Sequence, residues 1–373
     1  MAFRGPFQLF GLERSFFTRK MEATFRAMGV DYEFRLKTQA LTEWLEARAG
    51  THLIPVVLTP EDWMLWDSTP MAFDLERRFP GRNIVPTSPL QRMACLLVED
   101  WVDEWLPRVA VHSRWMYDDN AAAIARSLGT NVAGFWVGEE IPQDKEPEVA
   151  FIADFIRNGF GNRACNGLAA TSAEEGPIRA GFDHQLDLLA AIFESQPFLF
   201  GDRISLADIA LVGAFVSHFL GDPEPRTWVE ARQPSLAAWV ERAFNTTVGE
   251  EDWLPDDELN PLLFPLFQEI SREFHPHLVS TYAAMSDGQK RFEMNLDGRE
   301  VEFMVVPYRE ASRQFVRDEL LQLTDEGATQ VKQVLGSKGL LDIYELPPIA
   351  DFHHQSPAGS RHPKAFVSRP EGH

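Results

Sequence analysis

Cysteine is scarce in this chain: Cys95 and Cys165 are the only two in 373 residues. Neither sits in a C-x-x-C pair or a zinc-ligand spacing, which excludes a disulfide scaffold and leaves no metal site to expect. Two buried thiols in a reducing, cytoplasmic compartment is the simplest account. Positive charge is short as well, with 35 Lys and Arg against 56 Asp and Glu and a formal net charge of −21. Phosphate recognition needs a basic field, so a nucleic-acid partner is excluded, and docking on anionic lipid with it. The acidic balance reads as solubility. No run of 18 or more apolar residues occurs, so no membrane span is expected. Residues 1–10 lack the apolar segment and small-residue cleavage site of a secretory signal.

What is present is ordinary for a globular protein, 45% hydrophobic and 24% charged. The length predicts two or three domains, and 28 Phe with 10 Trp predict large cores and an apolar pocket. Residues 7–10 form a short apolar run closed by Gly11. Over residues 15–28, Phe17, Met21, Thr24 and Met28 fall on one helical face, and Gly29 ends it. Tyr32, Phe34 and Leu36 alternate with charge, which predicts a half-buried strand. A short helix over 41–49, a buried strand over 53–58 with Pro55 inside it, a hairpin partner at 63–66 and a helix from Asp67 to residue 79 complete a thioredoxin-type α/β domain over 1–80.

Residues 80–89 read as a Pro/Gly/Ser linker. Strand signals then stop. Helices are expected over 90–117, 149–166, 174–194, 205–220 and 234–244, giving an all-helical domain over 88–245, with 139–148 as a loop. An α+β extension over 246–346 follows: an acidic connection, a helix over 264–284, a hairpin over 290–304 turning at Asp297-Gly298, and helices over 310–323 and 326–335. The tail 347–373, with His353, His354 and His362, is expected to be poorly ordered and its histidines solvated.

Three places carry candidate chemistry. Proline cannot donate to a sheet ladder, so Pro55 predicts either a cis Ile54–Pro55 bond, with the Ile54 backbone turned toward an extended ligand, or an ordinary strand-start proline. Ser68 is expected to cap a helix whose first N–H groups can bind a carboxylate, and Asp67 beside it can hold an ammonium group; plain capping is the alternative. Ser15, at the start of the first helix, is either a cap or a hydroxyl that donates to a thiolate and favours its ionisation.

In this order and spacing these sites resemble the glutathione transferase family. The likeness runs through Phe7-Gln-Leu-Phe, Ser15-Phe-Phe-Thr-Arg-Lys, Met28-Gly-Val-Asp-Tyr-Glu, Ile54-Pro-Val-Val, Asp67-Ser68 and Phe73-Asp-Leu-Glu, and resumes at Pro197-Phe-Leu-Phe-Gly-Asp-Arg-Ile-Ser-Leu-Ala-Asp-Ile-Ala. It covers about the first 245 residues, resembles the bacterial, serine-type members, and leaves the extension unexplained. It implies glutathione as co-substrate. Ser15 would hydrogen-bond the sulfur, Ile54 before cis Pro55 would pair with the cysteinyl part, Asp67 and Ser68 would hold the γ-glutamyl end, and Lys37 would meet the glycine carboxylate. Phe16 stands where serine-type members often have proline and is counted with the second-substrate residues.

Trp101, Trp105, Arg108, His112 and Trp115 recur on one helical stripe. In a transferase fold that stripe would flank the electrophile's cleft; an interdomain core or dimer interface is the alternative. Glu99, Asp100, Asp103 and Glu104 lie among them without the histidine spacing of a metal site. Ser205-Leu-Ala-Asp208 reads as a structural capping box. The expected function is a homodimeric glutathione transferase acting on an apolar or aromatic electrophile, by conjugation, lyase, dehalogenation or peroxide chemistry. A non-catalytic binding or scaffolding relative is the alternative. Serine at position 15 excludes a mixed-disulfide oxidoreductase.

Overall fold

The computed structural model describes residues 6–296, 298–349 and 352. The chain opens β1 (Phe7–Gly11), α1 (Phe16–Ala27), β2 (Tyr32–Leu36), α2 (Gln39–Ala49), β3 (Val56–Leu58), β4 (Met64–Trp66) and α3 (Ser68–Arg78). The sheet order is β2-β1-β3-β4. β1 and β2 are parallel, with Phe7 opposite Tyr32, and α1 makes the crossover that parallel strands require. β3 is antiparallel to both β1 and β4. This is the thioredoxin-like domain expected from the pattern. The third strand starts later than expected, at Val56, because the nitrogen of Pro55 has no hydrogen to give a ladder, and Leu53 is exposed. Asp67 rather than Ser68 stands at the N-cap of α3, in the left-handed region at φ 77°, and Ser68 is the first helical residue.

The helical domain follows. The single helix expected over 90–117 is two, α4 (Pro89–Glu104) and α5 (Leu106–Trp115), broken at Trp105 just ahead of Pro107. Two helices were not foreseen, α6 (Asp118–Val132) and α11 (Pro223–Arg232). The first carries few large apolar residues around Ala121-Ala-Ala, and the second holds prolines at 223 and 225, tolerated because they fall in its first turn. The others are α7 (Glu146–Phe155), running through a π-helical turn over 156–161 into α8 (Asn162–Gly167), α9 (Glu175–Ser195), α10 (Leu206–Ala214) and α12 (Ser235–Phe244). Ser205 and Asp208 form the expected capping box ahead of α10.

The extension contains α13 (Leu263–Glu269), α14 (His275–Ser286), the hairpin β5 (Arg291–Leu296) and β6 (Arg299–Met304), then α15 (Pro307–Leu320), α16 (Asp325–Val334) and α17 (Asp342–Glu345). Period-2 alternation turns Phe292, Met294, Val301 and Phe303 inward, with the rings of Phe292 and Phe303 stacked 5.7 Å apart. Gly298 has φ +82°, as a tight hairpin turn needs; Asp297 lies outside the described residues, as do the tail residues 350, 351 and 353–373 with the three tail histidines. The extension is built into the helical domain. The Asp257 carboxylate accepts the N–H groups of Leu90 and Gln91 at 2.8 Å each, capping α4 from a distance. Phe315 of α15 meets Phe73 of α3 edge to face, and Glu319 accepts from Arg92. One apolar core runs from β1 and α1 through α4 and α10 into α14 and the hairpin.

The α/β and helical domains meet where α10 crosses α1. A Cβ at Gly213 would lie 2.7 Å from the Lys20 nitrogen and 2.8 Å from its Cα, so glycine permits backbone-to-backbone contact there. Lys20 is fully buried, and its ammonium donates to Glu99 and Asp103 of α4 at 2.5 Å each and to Thr69 of α3 at 3.1 Å. Burial alone would lower its affinity for a proton; the charges and hydrogen bonds of Asp103 and Glu99 outweigh that and raise it, so it stays charged. Removing one member of a buried ion pair costs about 3–5 kcal/mol. Lys20→Met is therefore expected to lower stability by roughly that amount, read as a shift of the urea unfolding midpoint at unchanged slope.

Candidate functional site

A cavity of about 260 Å³ opens between the domains. Its floor is the segment entering β3 (Leu53, Ile54, Pro55) and the start of α3 (Asp67, Ser68), with Trp66 between them. The Ile54–Pro55 bond is cis. The helical domain adds Asp103 and Glu104 from the end of α4, Pro107 of α5 and Leu168, and Phe17 enters from α1. The extension closes the remaining side with Val306, Tyr308 and Arg309.

Each polar group is placed by a definite element. Asp67 points from the cap position of α3, and its Oδ1 accepts from the Tyr308 hydroxyl at 2.6 Å. Burial, then the charge of Asp67, pushes the Tyr308 phenol well up, so it remains a donor. Arg309 donates through Nε and Nη2 to the Glu104 carbonyl at 3.3 and 3.2 Å, and its Nε lies 3.8 Å from the Glu104 carboxylate. Burial raises Glu104 well above the usual carboxylate range against the pull of Arg309. Burial also raises Asp103, opposed by Lys20. The floor is polar at its α3 end, and Phe17, Leu53, Pro107 and Leu168 make the rest apolar.

Ile54, Pro55, Asp67 and Ser68 are thus brought together as expected from sequence. The other expected site residues lie elsewhere. Ser15 caps α1, its Oγ accepting from the Thr18 N–H at 3.3 Å; it does not line the cavity, whereas Phe17 does. Phe16 is buried beside the His218 ring. Lys37 is spent on Glu46 and the His52 carbonyl, at 2.8 and 2.7 Å. The aromatic stripe is core, not pocket: Trp101 is fully buried, Trp105 donates to Glu273 and packs on His277 and Phe303, Arg108 and His112 bond the carbonyls of Ala169 and Ala170, and Trp115 sits in a satellite core with Ile124 and Leu128. Helical spacing shows that a face is apolar but not what covers it, and here α9, α14 and the hairpin cover it. Tyr308 and Arg309 were not foreseen; no local pattern around Pro307 ties them to Asp67, some 240 residues earlier. A larger depression of about 520 Å³ lies beside residues 193–204. Of the two guanidinium side chains on it, Arg203 clasps the carbonyls of Asn83 and Glu251, and Arg242 is the other.

Residues 9–83 match the glutathione S-transferase N-terminal domain and residues 118–242 the glutathione S-transferase C-terminal domain, together more than half of the chain. The chain belongs to the glutathione S-transferase family. Among solved structures it is similar to a β-etherase from Sphingobium sp., at 19% identity over 70% of this chain and 99% of that one with a TM-score of 0.44. A Tau class glutathione S-transferase from mango (Mangifera indica) is 18% identical over 64% of this chain and 89% of that one, TM-score 0.38. A glutathione S-transferase from Methylobacterium radiotolerans, solved with glutathione sulfonate, is 18% identical over 66% and 99%, TM-score 0.37. No curated protein sequence matches the chain. The cavity's floor falls within the N-terminal match; Asp103, Glu104 and Pro107 lie between the two matches, and the residues that close it from the extension lie beyond both.

Behind the cavity, α4 carries a further buried acid. Asp100 accepts from the Ser312 hydroxyl at 2.6 Å and the Tyr344 hydroxyl at 2.7 Å, both from the extension. Burial, only partly offset by those two donors, pushes it up to about 7. A carboxyl whose folded value is raised holds its proton more tightly when folded. Its stabilising protonation is complete below the unfolded value of about 3.9 and is lost as pH rises through the folded value of about 7. Relative to Asp100→Asn, the native protein is expected to lose stability between pH 5 and pH 8, measured as unfolding midpoints of both proteins across that range. Parallel pH profiles would show Asp100 to be ionised throughout.

Proposed function

We propose that the protein binds glutathione in the interdomain cavity and presents its thiolate to an apolar electrophile. The observation that carries this is one cavity joining the Ile54–Pro55 backbone, the Asp67–Ser68 start of α3 and an apolar wall. In this reading the Ile54 N–H and C=O pair with the cysteinyl residue, and the α3 N-terminus with Asp67 and Ser68 holds the γ-glutamyl end. Phe17, Pro107 and Leu168 receive the electrophile. The sulfur lone pair forms the new S–C bond, and the electron pair of the broken bond leaves with the departing group. Ser15 stabilises the thiolate. Its oxygen accepts from Thr18 N–H as a cap, yet its own O–H stays available to donate, since a hydroxyl does both. Neither cysteine competes as a nucleophile: burial pushes Cys95 and Cys165 up to about 12.

Two observations favour a binding module instead. Ser15 does not line the cavity, and Asp67 is already engaged by Tyr308. The two readings separate on Ser15→Ala. A transferase should keep glutathione affinity nearly unchanged in calorimetry, because the hydroxyl touches sulfur and not the charged ends. Its bound thiol should ionise roughly one to two units higher, the equivalent of a hydrogen bond to a charged group of about 1.5–3 kcal/mol, and turnover should fall most near neutral pH. Thiolate absorbance of bound glutathione, followed against pH in both proteins, makes the comparison. Coincident titrations would reduce Ser15 to a helix cap and leave the binding module standing.

A further inference from the structure

Helix α7 continues through its π-helical turn into α8 as one rod over residues 146–167. Its back is firmly seated: Val149 and Ile152 are buried, and a Cβ at Gly161 would lie 2.8 Å from the Trp115 ring. Its front carries three large apolar side chains in water, Phe151 at 74% exposure, Phe155 at 64% and Phe160 at 55%. Phe151 and Phe155 are one helical turn apart and share a face. Phe155 and Phe160 are five apart, which in an α-helix would swing the second ring about 140° away. The π-turn over 156–161 takes up the additional residue, because its bonds run i→i+5, and keeps Phe160 on the stripe. Glu148 stands three residues before the first ring and Arg163 three residues after the last. Glu148 is shared only with the exposed Lys145, and Arg163 donates to the Gly159 carbonyl and meets no carboxylate among the described residues. Read from either end, the stripe is the same in its rings and opposite in its charge.

We propose that this stripe seats a second copy of the chain, packed antiparallel about a two-fold axis through Phe155. In that register Phe155 meets its own counterpart, Phe151 of each copy meets Phe160 of the other, and Glu148 of each meets Arg163 of the other. Three rings so exposed offer roughly 300–500 Å² of apolar surface. A standard interface takes about 800 Å² from each partner, a little over half of it apolar, which is about 450 Å². Charge selects the same occupant. At a net charge of −21 two copies repel over most of their surfaces, yet this stripe holds one acid and one base and, turned on itself, sets each against its opposite. Anionic lipid or nucleic acid would leave Glu148 facing like charge. The rod ends at Leu168, which lines the interdomain cavity, so the pairing surface is continuous with one wall of that cavity. Nothing in this pairing depends on glutathione binding.

Sedimentation of the full chain over a dilution series tests it. The native protein is expected to be a dimer at micromolar concentration. Phe155→Asp should weaken the dimer at least about a hundredfold, as loss of a central ring does, with its unfolding midpoint unchanged because the side chain is exposed. Glu148→Arg alone and Arg163→Glu alone should each weaken it about tenfold. The double variant Glu148→Arg with Arg163→Glu should recover the native affinity, since an antiparallel two-fold again sets opposite charges together. A native protein that stays monomeric overturns the proposal, whatever else the stripe then binds. So does a dimer that Phe155→Asp leaves intact, which would place the contact on another face. A double variant no better than the single ones would overturn the antiparallel register.

Discussion

The Lys20 ammonium sits without exposure to solvent between two carboxylates of α4 and a hydroxyl of α3. It is the central member of a larger constraint. Helix α4 turns four acids, Glu99, Asp100, Asp103 and Glu104, into the protein. A buried carboxylate is costly unless it is paired, hydrogen-bonded or protonated. The four are answered from two sides: Glu99 and Asp103 by Lys20 of the α/β domain, Asp100 by Ser312 and Tyr344, and Glu104 by Arg309. Two of the four answers come from the extension. The relative placement of α1, α3, α4, α15 and α17 follows from satisfying one acidic helix face.

That constraint also shapes the cavity. Asp103 and Glu104 lie at the end of α4, just before the break ahead of α5 and Pro107, and line the same cavity as the Ile54–Pro55 and Asp67–Ser68 floor. Arg309 reaches the same place because it is fixed on the Glu104 carbonyl. Arg313, one turn further along α15, is fully buried; it pairs with Glu310 at 2.7 Å and holds the carbonyls of Ile343, Leu346 and Pro347. The helix that brings Tyr308 and Arg309 to the cavity is thus clamped at its back by the last turn of the described chain.

Much of this was legible in the sequence, for physical reasons that differ by element. Alternation marked β2 and the hairpin because one face of each meets the core. The helical period marked α1, α9 and α15 for the same reason. Pro55 and Asp67-Ser68 were legible because proline within a strand and an acid–serine pair before a helix are locally unusual. α6 escaped because alanine contributes little to any apolar stripe. Trp101, Trp105, Arg108, His112 and Trp115 were open to two readings, cleft wall or core, and they are buried: periodicity locates a buried face without distinguishing a cleft from a core. The four acids of α4 were visible as a cluster, but the groups that answer them lie about 80 to more than 240 residues away. Tyr308 and Arg309 were illegible for that reason too, since their role comes from tertiary placement.

The cap that Asp257 places on α4 bears on modularity. Many proteins carry a segment beyond a recognisable domain pair that can be cut away without harm. Here a chain ending after α12 would lose the carboxylate that receives the first N–H groups of α4, the hydroxyls on Asp100 and the guanidinium on Glu104. It would also strip Phe315 from Phe73, and the Glu273 acceptor from Trp105. Such a truncation would leave an acidic helix face and an aromatic stripe open to water. The two matched domains are therefore not a separable unit in this chain, and an attempt to exchange them with those of a shorter relative would have to redesign α4 first.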